Sequence, residues 1–242
     1  MPSEPATWSD SRLAGTRFRD VRWFDVVDST NRYLLECAAS GATDGLVAVA
    51  DEQSAGRGRL GRSWIAPSGA ALLVSVLLRP QLPIERVHLV TLAAALAAID
   101  ALPGAGALVK WPNDVVIGDR KLAGILAETD GAGAVVVGMG LNVRDDWFPP
   151  ELVDTAAAVA VERRELLVAW LRAYDVRLDQ LDSVVDDVSA CSATLGREVR
   201  VQLAEESFEG FARALTAEGF LVVDDRVVTA GDVVRLRDRD RD

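Results

Sequence analysis

The sequence predicts an α+β protein in two parts. A larger domain on a mixed β-sheet occupies residues 21–189, and a small SH3-like β-barrel occupies residues 190–242, after a flexible lead-in over residues 1–20. Three observations point there. Half of the 242 residues are hydrophobic, enough to close one medium core and a smaller one. Up to about Ser189, apolar runs of strand length mix with segments of helix length. Beyond it, as far as about Arg237, the chain changes to short alternating strands with turns between them, the pattern of a small barrel.

Residues 21–27 are β-branched and aromatic and read as a strand. Asp28-Ser29-Thr30-Asn31 offers N-cap side chains to a helix over 32–39, which Gly41 stops. Residues 46–50 form a short apolar strand, followed by Gly56-Arg57-Gly58-Arg59-Leu60-Gly61-Arg62-Ser63-Trp64. A continuous apolar strand over 71–78 precedes an Ala/Leu-rich, buried helix over 87–101. Residues 108–111, 115–117 and 121–128 read as successive strands, with Gly118-Asp119 as a hairpin turn. Another strand, 134–139, is closed by Gly138, Gly140 and Asn142. Residues 144–160 have no period and contain Pro149-Pro150, which predicts a mobile loop. From Glu162 the pattern is helical, with Leu166, Leu167, Trp170, Leu171, Tyr174, Leu178 and Leu181 on one stripe. The short strands are 198–203, 207–215, 219–223 and 232–236, and the alternating Asp/Arg tail reads as a frayed, solvated end.

Composition removes several function classes. Acidic residues outnumber basic ones 37 to 26, for a net charge of −11, which disfavours general nucleic-acid binding because phosphate contacts need a basic face. No run of about eighteen apolar residues is free of charges, and the polar, Pro-rich start has no apolar signal region. Cys37 and Cys191 form neither a metal spacing nor a disulfide framework. These features together predict a cytoplasmic protein without membrane contact. His88 is the only histidine and reads as structural; nothing suggests zinc.

The chemistry concentrates in two stretches. Glycines in the 56–62 loop let the backbone approach a ligand closely, and its three guanidiniums suit carboxylate or phosphate oxygens. Arg57 and Arg59 are two apart, so in extended backbone they face the same way. Lys110-Trp111-Pro112-Asn113-Asp114, then Arg120-Lys121-Leu122-Ala123-Gly124-Ile125-Leu126, add two lysines and an Asn-Asp pair suited to a nucleotide and its metal. Singly, each has a plainer reading. The arginine loop resembles RNA-binding Gly/Arg repeats, Asp28–Asn31 is a helix cap, Lys110–Asp114 a turn, Lys121 a solvated strand edge, and Asn142 a left-handed turn.

Taken together, these motifs resemble the biotin–protein ligases, also called biotin–[acetyl-CoA-carboxylase] ligases. The likeness covers about residues 25–142 at motif level and the C-terminal strands weakly. It rests on the intact Gly-Arg-Gly-Arg-x-Gly-Arg at 56–62, Lys-Trp-Pro-Asn-Asp at 110–114, Lys-Leu-Ala-Gly-Ile-Leu at 121–126, Asp-Ser-Thr-Asn at 28–31, Gln53, and Gly-x-Gly-x-Asn at 138–142. The resemblance implies a biotin/lipoate-ligase-like fold with an SH3-like barrel. It further implies an ATP-dependent ligase that makes biotinyl-5′-AMP and transfers biotin to a lysine of a biotin carboxyl carrier domain. Only about twenty residues precede the first strand, too few for the N-terminal helix-turn-helix of some members, so a monofunctional ligase is expected. ATP, biotin and Mg2+ are the implied ligands; a homodimer is compatible with the resemblance.

Carried over residue by residue, the resemblance implies catalytic roles for Lys121, Arg59, Asp114 and Lys110. Lys121 would bridge the biotin carboxylate and α-phosphate, Lys110 would hold pyrophosphate, and Asp114 would orient or deprotonate the incoming amine. Biotin would be held by Ser29, Thr30, Asn31, Gln53, Gly56, Arg57, Lys121 and Gly124. ATP would be held by Arg59, Arg62, Trp64, Lys110, Asn113 and Asn142, with Asn113 and Asp114 near the metal. The rivals are a lipoate or octanoate ligase of the same fold, and a DNA-binding regulator that uses the arginine loop on phosphate.

Overall fold

The computed structural model describes residues 4–203 and 205–235. The larger sheet contains β1 (Ala6–Trp8), β2 (Asp20–Val27), β3 (Leu46–Gln53), β4 (Ala71–Leu78), β5 (Ala107–Lys110), β6 (Asp114–Ile117), β7 (Arg120–Thr129) and β8 (Val135–Asn142). Their spatial order is β1-β2-β3-β4-β8-β7-β6-β5. β2 and β3 are parallel, joined through α1 (Thr30–Ala39), and the other pairs are antiparallel, so the sheet is mixed as expected. Ser29 caps α1 by accepting from Arg32 N–H, the role its sequence position predicts.

One sheet face is covered by α2 (Leu89–Asp100), α3 (Arg163–Asp179) and α4 (Val184–Ala190). Nine of the twelve α2 residues are buried, five of them alanines, which lets the helix lie close between the sheet and α3. The buried polar ends of α3 are satisfied on α2: Trp170 Nε1 donates to Ala94 O at 3.1 Å and Tyr174 OH to Val90 O at 2.8 Å. On the other face a smaller core gathers around α1, with Leu34 against Phe24, Leu73 and Leu77.

β9 (Arg197–Gln202), β10 (Ser207–Leu215), β11 (Leu221–Val223), β12 (Arg226–Val228) and β13 (Asp232–Arg235) make a second, antiparallel sheet ordered β12-β11-β10-β9-β13. It is the small SH3-like unit the alternating pattern predicts. Trp111 is buried in its core, donating Nε1 to Gly219 O at 3.0 Å and its backbone N–H to Thr194 Oγ1 at 3.0 Å. His88 stacks on Phe220 and contacts Glu218 O, a structural role. Among the described residues no helix is long and apolar enough to cross a membrane.

Four local expectations change. The stretch before Asp20 is not loose where it is described: β1 pairs β2, Leu13 and Phe18 are buried, and Arg12 and Arg17 pair with Glu165 and Asp175. Strand β12 was too short to read from its pattern. The helical stripe breaks after Asp179, and α4 is a separate element. Residues 144–160 contain no helix or strand, yet residues 155–157 run beside β7, with Lys121 N–H donating to Thr155 O and Ala157 N–H to Lys121 O. The expected Asp/Arg tail and the end of the last strand lie outside the described residues.

Candidate active site

A single cavity opens at the N-terminus of α1, between the arginine loop and the face formed by β4, β7 and β8. A neutral polar cluster occupies one part. Thr30 donates to Gln53 Oε1 from its N–H at 2.8 Å and from Oγ1 at 3.1 Å. Thr30 Oγ1 and Ser75 Oγ lie 2.7 Å apart, and Ser75 donates to Asn31 Oδ1 at 2.6 Å. Asn31 Nδ2 donates to Glu128 Oε2 at 2.8 Å and Leu126 O at 3.2 Å. Ser29, Thr30, Asn31 and Ser75 are all buried. Gly138 has to be glycine, because a Cβ there would overlap the Asn31 amide. Glu128, the one charge touching these neutral side chains, is paired with Arg57, and the cluster suits a neutral ligand group rich in donors and acceptors.

The cationic part is built by the arginine loop. It is a small closed hairpin and not an extended strand: Arg57 and Ser63 form a bridge, Gly58 N–H donates to Arg62 O at 2.7 Å, and residues 59–61 form a 3-10 turn with Leu60 at φ 55°. The arginines therefore diverge instead of facing the same way. Arg57 pairs with Glu128 at 3.0 Å, Arg59 donates to Asn113 Oδ1 at 3.0 Å, and Arg62 pairs with Asp232. Asn113 is itself fixed, donating Nδ2 to Ile125 O at 2.7 Å and accepting Ile125 N–H at its carbonyl.

Lys121 reaches the cavity through a β-bulge. Val115 pairs Ala123 and Val116 pairs Lys121, leaving Leu122 as the extra residue. Leu122 and Ala123 both enter the main core, while Lys121 and Gly124 both line the cavity. Lys121 Nζ is 2.7 Å from Asp114 Oδ1 and 5.6 Å from the Trp64 ring centroid. The Trp64 indole lies over paired Gly124 and Gly140; a Cβ at Gly140 would collide with the ring, and one at Gly124 would come 3.1 Å from it. Trp64 Nε1 is buried with no hydrogen-bond partner among the described residues.

Of the residues chosen from sequence, Ser29, Thr30, Asn31, Gln53, Arg57, Arg59, Arg62, Trp64, Asn113, Asp114, Lys121 and Gly124 line this one cavity. Three do not. Gly56 is packed behind the loop, where a Cβ would meet the Trp64 backbone. Lys110 lines a different cleft, shared with Thr194, Val199 and Val233 of the C-terminal part. Asn142 is buried and donates to Ala157 O at 3.1 Å, tying down the 144–160 segment. Three participants escaped the sequence reading: Ser75, Glu128 and Asp232. Ser75 had a signal, as the lone polar residue of an apolar strand. Glu128 and Asp232 had none that distinguishes them from surface carboxylates.

A metal centre made by the protein does not fit here. The carboxamide of Asn113 is engaged by Arg59 and Ile125, and Asp114 by Lys121. No group of three His, Cys, Asp or Glu side chains converges among the described residues. A divalent ion that enters with a nucleotide is held mainly by its phosphates.

Residues 23–143 match the Biotin/lipoate A/B protein ligase family, and residues 194–236 match the Biotin protein ligase C terminal domain. A biotin–[acetyl-CoA-carboxylase] ligase of Mycobacterium tuberculosis is 39% identical over 93% of this chain and 92% of its own. One of Paracoccus denitrificans is 34% identical over 81% and 90%. The structure of a biotin protein ligase from Aquifex aeolicus in complex with biotin and ATP superposes with a TM-score of 0.79 at 28% identity, covering 91% of this chain and all of that one. The two matched segments, the identities over nearly the full chain and the shared fold place this protein in the Biotin/lipoate A/B protein ligase family.

Proposed function

We propose that this chain activates biotin with ATP to biotinyl-5′-AMP and transfers it to a lysine of a biotin carboxyl carrier domain. The observation that carries the reading is one cavity holding both a neutral hydrogen-bonding cluster and four cationic side chains, with Lys121 and the Gly124–Gly140 floor in common. The neutral cluster of Thr30, Asn31, Gln53 and Ser75 reads an uncharged ureido ring. Arg57, Arg59, Arg62 and Lys121 screen a carboxylate brought onto a phosphate, two anions that repel until cations surround them. In the first step a biotin carboxylate oxygen bonds the α-phosphorus and the bond to pyrophosphate breaks. In the second, the carrier amine bonds the acyl carbon, AMP leaves, and the amine loses a proton. Asp114, beside Lys121, is the group placed to orient that amine. Arg62, and not Lys110, is the proposed cation for pyrophosphate, because Lys110 faces the other cleft.

Biotin-dependent ATP–pyrophosphate exchange by the purified chain tests this. Exchange supported by octanoate or lipoate but not by biotin would replace it with the same-fold rival. A second expectation concerns Ser75. Its hydroxyl donates to Asn31 Oδ1 and lies 2.7 Å from Thr30 Oγ1, and a neutral hydrogen bond contributes about 0.5–1.5 kcal/mol net. Ser75→Ala should therefore weaken biotin binding by about threefold to tenfold in a calorimetric titration. Unchanged biotin affinity would place the cluster outside the biotin subsite.

A further inference from the structure

The larger domain does not complete this cavity alone. Asp232, the first residue of β13 in the C-terminal sheet, lines it beside Asn113, Asp114 and Lys121, and its carboxylate accepts from Arg62 of the arginine loop. The position is firmly set. Asp232 pairs with Gln202 across β9 and β13. Gly231 before it, at φ 143°, is hemmed in by Leu203 and Gln202, which leaves no room for a side chain. The sheet is anchored in turn by Trp111, two residues from Asn113. The loop, by contrast, is closed on itself by backbone bonds, and the three arginine contacts described above tie its tip to the rest of the molecule. One runs to Glu128 of β7, one to Asn113 in the turn between β5 and β6, and the third to Asp232.

A carboxylate is an odd neighbour for a seat of phosphate oxygens. Left unpaired, it would repel them at close range, where solvent screening is incomplete. Paired with Arg62, it is neutralised, and it keeps that guanidinium at the cavity rim. The Arg62 side chain is 68% exposed, and an ion pair so exposed is weak, so it holds the arginine without trapping it.

We infer that Asp232 is a positioning residue for ATP use: it is the resting counter-ion of Arg62, which exchanges Asp232 for phosphate when nucleotide binds and returns to it when pyrophosphate leaves. The C-terminal sheet thereby sets the strength with which the arginine loop grips nucleotide. The inference rests on the reading that this cavity receives the phosphates of ATP.

Because the internal carboxylate competes with phosphate for one guanidinium, removing its charge should tighten nucleotide binding. Asp232→Asn is expected to lower the KM for ATP in biotin-dependent pyrophosphate exchange by about threefold to fivefold, with the KM for biotin unmoved and kcat not raised in proportion. Affinity for a non-cleavable α,β-methylene ATP analogue, measured by calorimetry with biotin present, should rise by the same factor. Asp232→Glu, which keeps the charge, should return both values toward wild type. In an Arg62→Gln background, Asp232→Asn should change analogue affinity by less than about twofold, because the partner through which it acts is gone. Unchanged or weakened ATP affinity in Asp232→Asn overturns the inference. So does an equal gain with Arg62 absent, which would make Asp232 a plain repulsive charge. If the wild-type chain neither exchanges pyrophosphate nor binds the analogue, the ligase reading itself fails.

Discussion

Replacing Lys121 by alanine is expected to slow biotinyl-AMP formation by roughly a hundredfold to a thousandfold while changing biotin affinity by less than about fivefold. The asymmetry follows from where the charge sits. Lys121 Nζ is held at 2.7 Å from Asp114 and lies next to the Gly124 floor of the cavity that the neutral cluster and the arginines also line. Ground-state biotin gains most of its contacts from the neutral cluster. The cation matters most when carboxylate and phosphate oxygens crowd together, and that happens in the transition state. Removing one donor of an oxyanion hole costs about 2.7–4 kcal/mol, and Lys121, 41% exposed in the free chain, reaches that range once substrate and the loop cover it. Single-turnover adenylation read beside a biotin titration separates the two effects. Near-normal adenylation by Lys121→Ala would make the lysine a strand-edge charge whose main partner is Asp114. A parallel loss of biotin binding would make it a ground-state ligand.

Arg59→Gly is expected to leave biotinyl-AMP formation measurable but to speed escape of the adenylate by roughly tenfold to a hundredfold, with labelling of bystander lysines. The mixed anhydride reacts with water and with any amine, so the site has to stay closed until the carrier arrives. Arg59 is the side chain that ties the tip of the loop to Asn113, and Asn113 is locked to Ile125 of β7 at both its backbone and side chain. A guanidinium so placed can add a contact to the adenylate phosphate, and a hydrogen bond to a charged group contributes about 1.5–3 kcal/mol. Losing it frees the loop at the residue next to left-handed Leu60, where the backbone conformation is least favourable. The dissociation rate of preformed adenylate after rapid dilution reads this directly. An unchanged off-rate, with loss confined to the first half-reaction, would make Arg59 a binding residue for ATP and not a latch.

The two architectures were legible because local pattern encodes them. The apolar run 71–78 has strand length, the longer Ala/Leu run of α2 has helix length and no polar face, and the alternation in 197–202 and 207–215 fits a sheet with one wet face. Most of the site was legible for a related reason: glycines, arginines and a Lys-Trp-Pro-Asn-Asp turn have no use in a plain core, so their clustering in sequence announces chemistry. Asn142 and Lys110 show the limit of that argument. Both stand in motifs rich in functional residues, yet one is a buried brace for residue 157 and the other faces a cleft with the second sheet.

By itself the sequence determined the mixed sheet followed by a small β-unit, the anion-seeking loop, and the neutral cap residues at the start of α1. Each depends on spacing within a few residues, and a chain expresses such spacing locally. Only the tertiary structure decided which charges meet. The β-bulge at Leu122 puts Lys121 and Gly124 on one side, which strict alternation would have separated. The hairpin turn sends Arg57, Arg59 and Arg62 to three partners, residues Glu128, Asn113 and Asp232, that lie 71, 54 and 170 positions away in sequence. Ion pairing and desolvation act through distances in space, and sequence separation carries almost no information about those until the sheets have packed.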